Sequence, residues 1–212
     1  MNLSNHLLFG SGTGAKVLIY RTSESSTDNK TTYTFTGQSI GSEASDRRVH
    51  VIFHSFVNSR TIVTASIGGV SADITVQVNS SSALVGLLTA LVPTGTTADI
   101  IVTLSGGASK AGIGVWTSTG LTANTATDTG TSIASPGTDS LASAVGGFCI
   151  SGMSNGTTGT VSWTNISEQY DVQVGDDSRR SGASISTTGA TISPTVTYAN
   201  PHAGRVAIFA TF

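Results

Sequence analysis

Apolar and polar residues alternate with a period of two along most of this chain from Thr31 onward. Successive side chains of a β-strand point to opposite faces of a sheet, so this alternation is typical of strands with one buried face. The clearest case follows Gly68-Gly69, where the apolar residues are Val70, Ala72, Ile74, Val76 and Val78. Since glycine readily supplies the positive φ of a tight hairpin turn, the pattern predicts that Thr61 to Ile67 pairs with Val70 to Val78.

One segment, Ala83 to Val92, also fits a helical stripe, because its leucines recur at Leu84, Leu87, Leu88 and Leu91. We predict a strand, since Pro93 follows the segment after about ten residues and predicted strands flank it on both sides. The other predicted strands cover residues 48–57, 97–104, 111–117, 145–150, 158–166, 169–174, 183–187, 192–198 and 205–212.

These many short strands, without a convincing helix, predict an all-β fold: an antiparallel β-sandwich of jelly-roll-like topology over residues 31–212. Residues 1–30 are predicted to be an extended N-terminal arm and linker, because a glycine-rich stretch and the polar run "RTSESSTDNK" interrupt the alternation, apart from one short strand candidate over residues 16–20. Residues 121–140 are predicted to be a long loop, and loops of that length are usually functional or mobile.

Composition excludes several classes of partner. Charged residues make up 10% of the chain and the formal net charge is -2, so the basic surface that nucleic-acid binding requires is missing. No apolar run is long enough to cross a bilayer. The one cysteine, Cys149, has no intrachain partner, and the N-terminus lacks a cationic segment typical of signal peptides. We therefore expect neither nucleic acid nor membrane as a partner, and folding in a reducing cytoplasm.

Short motifs with catalytic or metal-binding forms lack the context that their chemistry needs. Ser154 lies in "GMSNG", which matches a nucleophile elbow, but a strand is predicted after it where the elbow requires a helix. His50 and His54 are about 13 Å apart along one strand, too far to share an ion, and are expected at the surface or in subunit contacts. Asp176-Asp177 reads as a solvated turn, with a calcium-stabilised loop through Asp128, Asp176 or Asp177 as the alternative. We predict no catalytic residue, no cofactor and no metal, and hence no enzyme.

Other residues suggest contacts between subunits. In "AGIGVW" the glycines 112 and 114 leave room for a close approach, and Trp116 beside them is either a contact anchor or a cover for its own sheet. The closing stretch "GRVAIFATF" is apolar on both faces, so Phe209 is predicted to lie against a neighbouring subunit or an overlying segment. The N-terminal apolar cluster completes the predicted partner contacts, which are Leu7, Leu8, Phe9, Trp116 and Phe209.

The stretches "TTYTFTGQSIGSEASDRRVHVIF", "TIVTASIGGVSADITVQVN", "VPTGTTADIIVTLSGGASKAGIGVW" and "ATDTGTS" resemble a run found in virion structural proteins of tailed bacteriophages, many of them marine, over about residues 30 to 150. The resemblance implies a noncatalytic jelly-roll-like protein of the virion, assembled in the host bacterial cytoplasm. Its expected role is capsid decoration (cement), as a homotrimer that contacts the major capsid protein or other virion proteins. The alternative is a fibre or spike adhesin whose partner is a host-surface glycan or receptor.

Overall fold

The protein is described by a computed structural model covering residues 16–56 and 59–212. In these residues the regular structure is all β-strand, and they contain no helix long and apolar enough to cross a bilayer. The strands, in chain order, are β1 (Val17–Ser26), β2 (Lys30–Ser39), β3 (Arg48–Ser55), β4 (Ile62–Ile67), β5 (Val70–Ser71), β6 (Asp73–Asn79), β7 (Leu84–Leu91), β8 (Thr97–Ala108), β9 (Ala111–Thr119), β10 (Asp128–Ser132), β11 (Gly137–Thr138), β12 (Val145–Asn155), β13 (Val161–Thr164), β14 (Ser167–Val174), β15 (Ser178–Thr188), β16 (Thr195–Tyr198) and β17 (Val206–Thr211).

These strands form four antiparallel sheets stacked face to face. We call them the front sheet (β2-β8-β4-β5), the central sheet (β1-β9-β3-β7-β6), the inner sheet (β10-β17-β12-β15-β14) and the back sheet (β11-β16-β13). Three apolar cores lie between successive sheets. The predicted all-β antiparallel sandwich is confirmed, but the stack has four sheets where a jelly roll has two.

The central and inner sheets are covered on both faces, and their strands are apolar on both faces for that reason. In β3 all eight residues are buried. Val49, Val51 and Phe53 face the front sheet, whereas Ile52 faces the inner sheet. β7 is likewise buried over seven of its eight residues, which confirms the prediction of a strand, and not a helix, in this segment.

The closing strand β17 lies inside the inner sheet, hydrogen-bonded to β10 on one side and β12 on the other. Its predicted core face is confirmed: Val206, Ile208, Ala210 and Phe212 pack into the core shared with the central sheet. Ala207 and Phe209 point the other way, into the core beneath the back sheet. The overlying segment expected at Phe209 is therefore a sheet of the same chain, and the second apolar face is dry without a partner subunit.

The predicted hairpin after β4 is only partly correct. Gly68 and Gly69 both have positive φ, 59° and 79°, and β4 pairs with β5 as expected. The continuous strand predicted from Val70 to Val78 instead breaks at Ala72, and β6 then joins the central sheet beside β7. Alternation predicts which face of a sheet a side chain is on, but not which strand is the neighbour. The change from the front sheet to the central sheet at Ala72 could therefore not be predicted from the pattern.

The predicted arm and linker over residues 1–30 needs correction where the structure describes it. Residues 17–26 form β1, a full edge strand of the central sheet, paired with β9 along its length. Within the predicted loop over residues 121–140, the short strands β10 and β11 join the inner and back sheets. The apolar cluster Leu7, Leu8 and Phe9 lies outside the described residues.

The turn glycines give a direct test of the β4–β5 hairpin. Open space surrounds the position that a Cβ at Gly69 would occupy, so a substitution there changes only backbone strain. Gly69→Ala should lower the free energy of unfolding by about 1–2 kcal/mol, the penalty of the left-handed conformation for residues with a Cβ. Gly69→Asn should cost less, because asparagine tolerates that conformation. Urea unfolding of both variants measures the difference, and equal costs would contradict the turn geometry.

Candidate functional site

Two of the residues predicted to contact partners are buried within the chain itself. Trp116 and Phe209 are both 0% exposed. Trp116 packs in the core between the central and inner sheets, and its indole N–H donates to Ser184 Oγ at 3.2 Å. Neither side chain is available for the subunit contact expected of it, because sheets of the same chain already cover both.

The glycines of "AGIGVW" do allow a close approach, as predicted, but the approaching ring is Tyr170 of the same chain. A Cβ on Gly114, in the central sheet, would lie 2.2 Å from the Tyr170 ring. A Cβ on Gly182, in the inner sheet, would lie 2.5 Å from the same ring. Tyr170 thus fills a slot between the central and inner sheets that only glycine leaves open. Beside it, a Cβ on Gly112 would lie 2.5 Å from Arg180 Nε.

Arg180 is a buried cation held without an ion pair among the described residues. Its side chain donates to the Ile113 carbonyl at 2.7 Å and to Ser25 Oγ at 2.8 Å, and its guanidinium carbon lies 5.1 Å from the centre of the Tyr170 ring. Burial lowers the pKa of Arg180. A carbonyl dipole and an aromatic face compensate part of the lost hydration of the charge.

The motif serine joins the same buried polar cluster. His54 Nδ1 lies 3.1 Å from Ser154 Oγ, and His54 Nε2 lies 2.7 Å from the Tyr170 hydroxyl. Ser154 also donates to the Leu84 carbonyl at 3.1 Å, so its oxygen accepts from His54 and the ring nitrogen facing Tyr170 is left as an acceptor.

This serine–histidine pair is built for packing and not for nucleophilic attack. Both side chains are 0% exposed, which leaves no path for a substrate. Ser154 lies within β12, where no helix follows to supply an oxyanion hole. The Ser154 proton is also directed to a backbone carbonyl, so the histidine is not placed to remove it.

The two histidines of β3 were expected at the surface or in subunit contacts, and that expectation is wrong. Both are fully buried and face the inner sheet, where Phe148 and Phe212 pack edge-on against the His50 ring. His50 bonds to Thr89 at 3.1 Å and to Ser118 at 2.8 Å. Burial lowers the pKa of His50 to about 3 and that of His54 well below 6.5, so both rings are neutral at physiological pH.

Two of the three aspartates proposed as calcium ligands, Asp128 and Asp177, bind groups of the chain. Asp177 accepts from Lys110 and from Ser178, and the Lys110 hydrogen bond lowers its pKa. Asp128 accepts the backbone N–H groups of Thr129 and Ala142. Across residues 16–56 and 59–212, no three His, Cys, Asp or Glu side chains cluster as metal ligands.

The outer surface of the front sheet is a feature that the buried network does not explain. We call it the front face; its exposed residues include Lys30, Thr32, Thr34, Thr36, Ser39, Val63, Thr64, Thr97, Asp99, Ile101 and Ser105. Thr32 and Thr103 share a cross-strand hydroxyl contact at 3.1 Å. The charged residues of this sheet are Lys30, at the first position of β2, and Asp99, which accepts the Gly37 N–H at 2.8 Å. These two opposite charges are the only ones on the four strands of the front sheet, so the front face has no net charge and consists mostly of hydroxyl and methyl groups.

The outer surface of the back sheet has the same character at the opposite end of the stack. Its exposed residues, which form the back face, are Thr138, Ser162, Thr164 and Thr197. The strands β11, β13 and β16 carry no charged residue. Both outer layers thus place threonine and serine where surface strands usually carry charge.

Tyr170 and Arg180 were missed in the sequence, whereas His54, Ser154 and the glycines 112 and 114 were named there, for other roles. The one available signal was Arg180 within the "SRRSGAS" stretch, at a strand position flanked by small residues. Comparison with known proteins identifies no relative: no family model, no curated protein and no solved structure matches the chain.

The buried histidines predict a loss of stability in mild acid. In the unfolded chain both rings titrate near 6.5, whereas the folded protein keeps them neutral to much lower pH. Between these values the unfolded state binds more protons, so the free energy of unfolding is fully present above about pH 6.5 and falls as the pH decreases. From pH 7.5 to pH 5 each histidine should contribute a loss of about 2 kcal/mol.

Urea unfolding at pH 7.5, 6 and 5 measures this dependence. His50→Gln should remove about half of it, because one titrating ring remains, whatever its effect on stability at pH 7.5. Equal stability of the wild-type protein at pH 7.5 and pH 5 would show that the rings are not buried as neutral groups.

Proposed function

We propose that this chain is a noncatalytic structural protein of a tailed-bacteriophage virion, with capsid decoration (cement) as its role. The observation that carries the proposal is the neutral, hydroxyl-rich character of the front and back faces. The resemblance of about residues 30 to 150 to virion structural proteins supplies the setting. Assembly would take place in the host bacterial cytoplasm, and the mature location would be the virion.

Neutral faces suit a protein that is buried in an assembly. Removing a charge from water costs several kcal/mol unless a partner of opposite charge is provided. A hydroxyl group costs much less, because it can rotate to find a donor or acceptor on the neighbour. The front face also exposes Val63 (53%) and Ile101 (37%), whose burial in a contact would be favourable.

The partners proposed are copies of the chain, as a homotrimer, and the major capsid protein or other virion proteins. Two neutral faces at opposite ends of the stack allow one to meet a sister subunit and the other the particle. Because the interior cores are complete within the chain, the subunit would fold first and bind as a preformed body.

Mass spectrometry of purified virions from the phage that encodes the chain tests the proposal. The chain should be present in a fixed ratio to the major capsid protein. Absence of the chain from purified virions would overturn the proposal.

A matched pair of variants tests the front face. Ile101→Lys places a charge in the proposed contact and should reduce incorporation into particles by about tenfold or more, since each 1.4 kcal/mol of lost contact energy is a factor of ten. Val145→Lys makes a comparable change at a residue that is 82% exposed and lies in an interior sheet, and should incorporate normally. Equal incorporation of the two variants would exclude the front face as the contact.

A further inference from the structure

A polar cleft lies at one end of the stack, where turns from all four sheets converge. Its volume is about 490 Å³, within the range of small-molecule sites. Asn29 comes from the β1–β2 turn, Ser82 from β6–β7, Lys110 from β8–β9, Asp177 from β14–β15 and His202 from β16–β17. Loops that gather at one end of a β-sandwich are a common location for binding sites, because a rigid scaffold positions them.

Most of the residues that line this cleft are polar or charged. Phe56 is the one apolar residue among those that line it; the rest are polar or charged side chains and glycines. An apolar or aromatic ligand would therefore find only one apolar side chain to pack against. A ligand that is recognised through hydrogen bonds is favoured instead.

Two glycines leave room for polar side chains of the cleft. A Cβ on Gly156 would lie 2.9 Å from His202 Nδ1, and a Cβ on Gly204 would lie 1.6 Å from Ser82 Oγ. Both side chains thus occupy space that any larger residue would take. Hydrogen bonds of His202 Nδ1 with Ser82 Oγ and with the Gly204 N–H orient these side chains without a ligand, which lowers the entropic cost of binding.

The His202 ring is oriented by the backbone. Its Nδ1 accepts the Gly204 N–H at 3.0 Å, so in the neutral ring the proton is on Nε2, which becomes a donor. Ser82 Oγ lies 3.3 Å from the same Nδ1. The tautomer is thus determined by a contact within the turn, and Nε2 has no hydrogen-bond partner among the residues that the structure describes.

An ion pair provides the second half of the site. Lys110 and Asp177 are bonded through Asp177 Oδ1, which also accepts from Ser178 at 2.7 Å. The Lys110 side chain is 18% exposed and that of Asp177 is 69% exposed. Asp177 Oδ2 receives no hydrogen bond from the residues that the structure describes, and the ammonium group has donors beyond the one directed at Oδ1.

We propose that this cleft binds a neutral, hydroxyl-rich ligand of the carbohydrate class, one or two sugar residues in size. The Lys110–Asp177 pair presents a donor beside an acceptor, which matches two adjacent hydroxyls of a sugar ring. His202 Nε2–H and the Asn29 amide supply further polar groups along the same cleft. Because the charges of Lys110 and Asp177 cancel, an anion such as phosphate gains no net attraction there.

Titration of the purified, full-length, ¹⁵N-labelled protein with D-glucose, D-galactose, D-mannose, N-acetyl-D-glucosamine and inorganic phosphate tests this site by NMR. At least one sugar should shift the amide signals of Lys110, Asp177 and His202 with millimolar affinity, and phosphate should not. The assay needs no virion, so its outcome is independent of the proposed structural role.

Asp177→Asn keeps the shape of the cleft but removes the negative charge, and should weaken sugar binding by tenfold or more. Asp28→Asn is the matched control, because Asp28 forms an exposed ion pair with Lys30 at 2.6 Å but does not line the cleft. The proposal is overturned if none of the four sugars shifts the cleft amides, if phosphate binds more tightly than every sugar, or if the two variants weaken binding equally.

Discussion

Burial of two sheets on both faces is the constraint on which the rest of this structure depends. A sheet in the middle of a stack must offer apolar side chains to two cores, whereas an outer sheet offers them to one. The chain meets this requirement in β3, β7 and β17, whose residues are nearly all buried. Strands of the front sheet keep a regular alternation instead, as in β8. A continuous apolar run thus indicates a strand in an interior sheet, and regular alternation indicates a strand in an outer sheet.

The same distinction explains how far the sequence could be interpreted. Alternation and continuous apolar runs predicted most strands, including β7 and the core face of β17, because both signals are local. The number of sheets was not local information. A sandwich of two sheets left the second apolar face at Phe209 without a cover. That residue was therefore predicted to lie against a neighbouring subunit or an overlying segment, and a sheet of the same chain covers it.

Errors at the candidate site have the same origin. His54 and Tyr170 form a hydrogen bond although they are 116 residues apart in the sequence. The sequence around His54 therefore does not predict this partner. The buried state of Arg180 likewise depends on Gly112 and Tyr170, which lie on other strands. The histidines of β3 were expected at the surface because polar side chains are usually exposed. A buried polar cluster can be recognised only once its members are brought together.

Charge placement links this interior to the outer faces. Arg47 is buried and donates to five backbone carbonyls, those of Gly41, Ser42, Val92, Thr94 and Gly95. Arg180 is also buried. A chain with 10% charged residues that places these cations inside has fewer for its surface. The front and back faces carry mainly hydroxyl groups, and the proposed role in an assembly rests on these faces.

The most direct measurement of the central claim, that the chain covers both faces of its inner sheet by itself, is the unfolding free energy of Phe209→Ala at low and high protein concentration. Truncating a buried phenylalanine costs about 3–5 kcal/mol, and this account predicts that loss at both concentrations, because the covering back sheet belongs to the same chain. Ile133→Ala, at a residue that is 62% exposed, should change little. A loss below about 1 kcal/mol, or one that depends on protein concentration, would contradict the account and return Phe209 to a subunit interface.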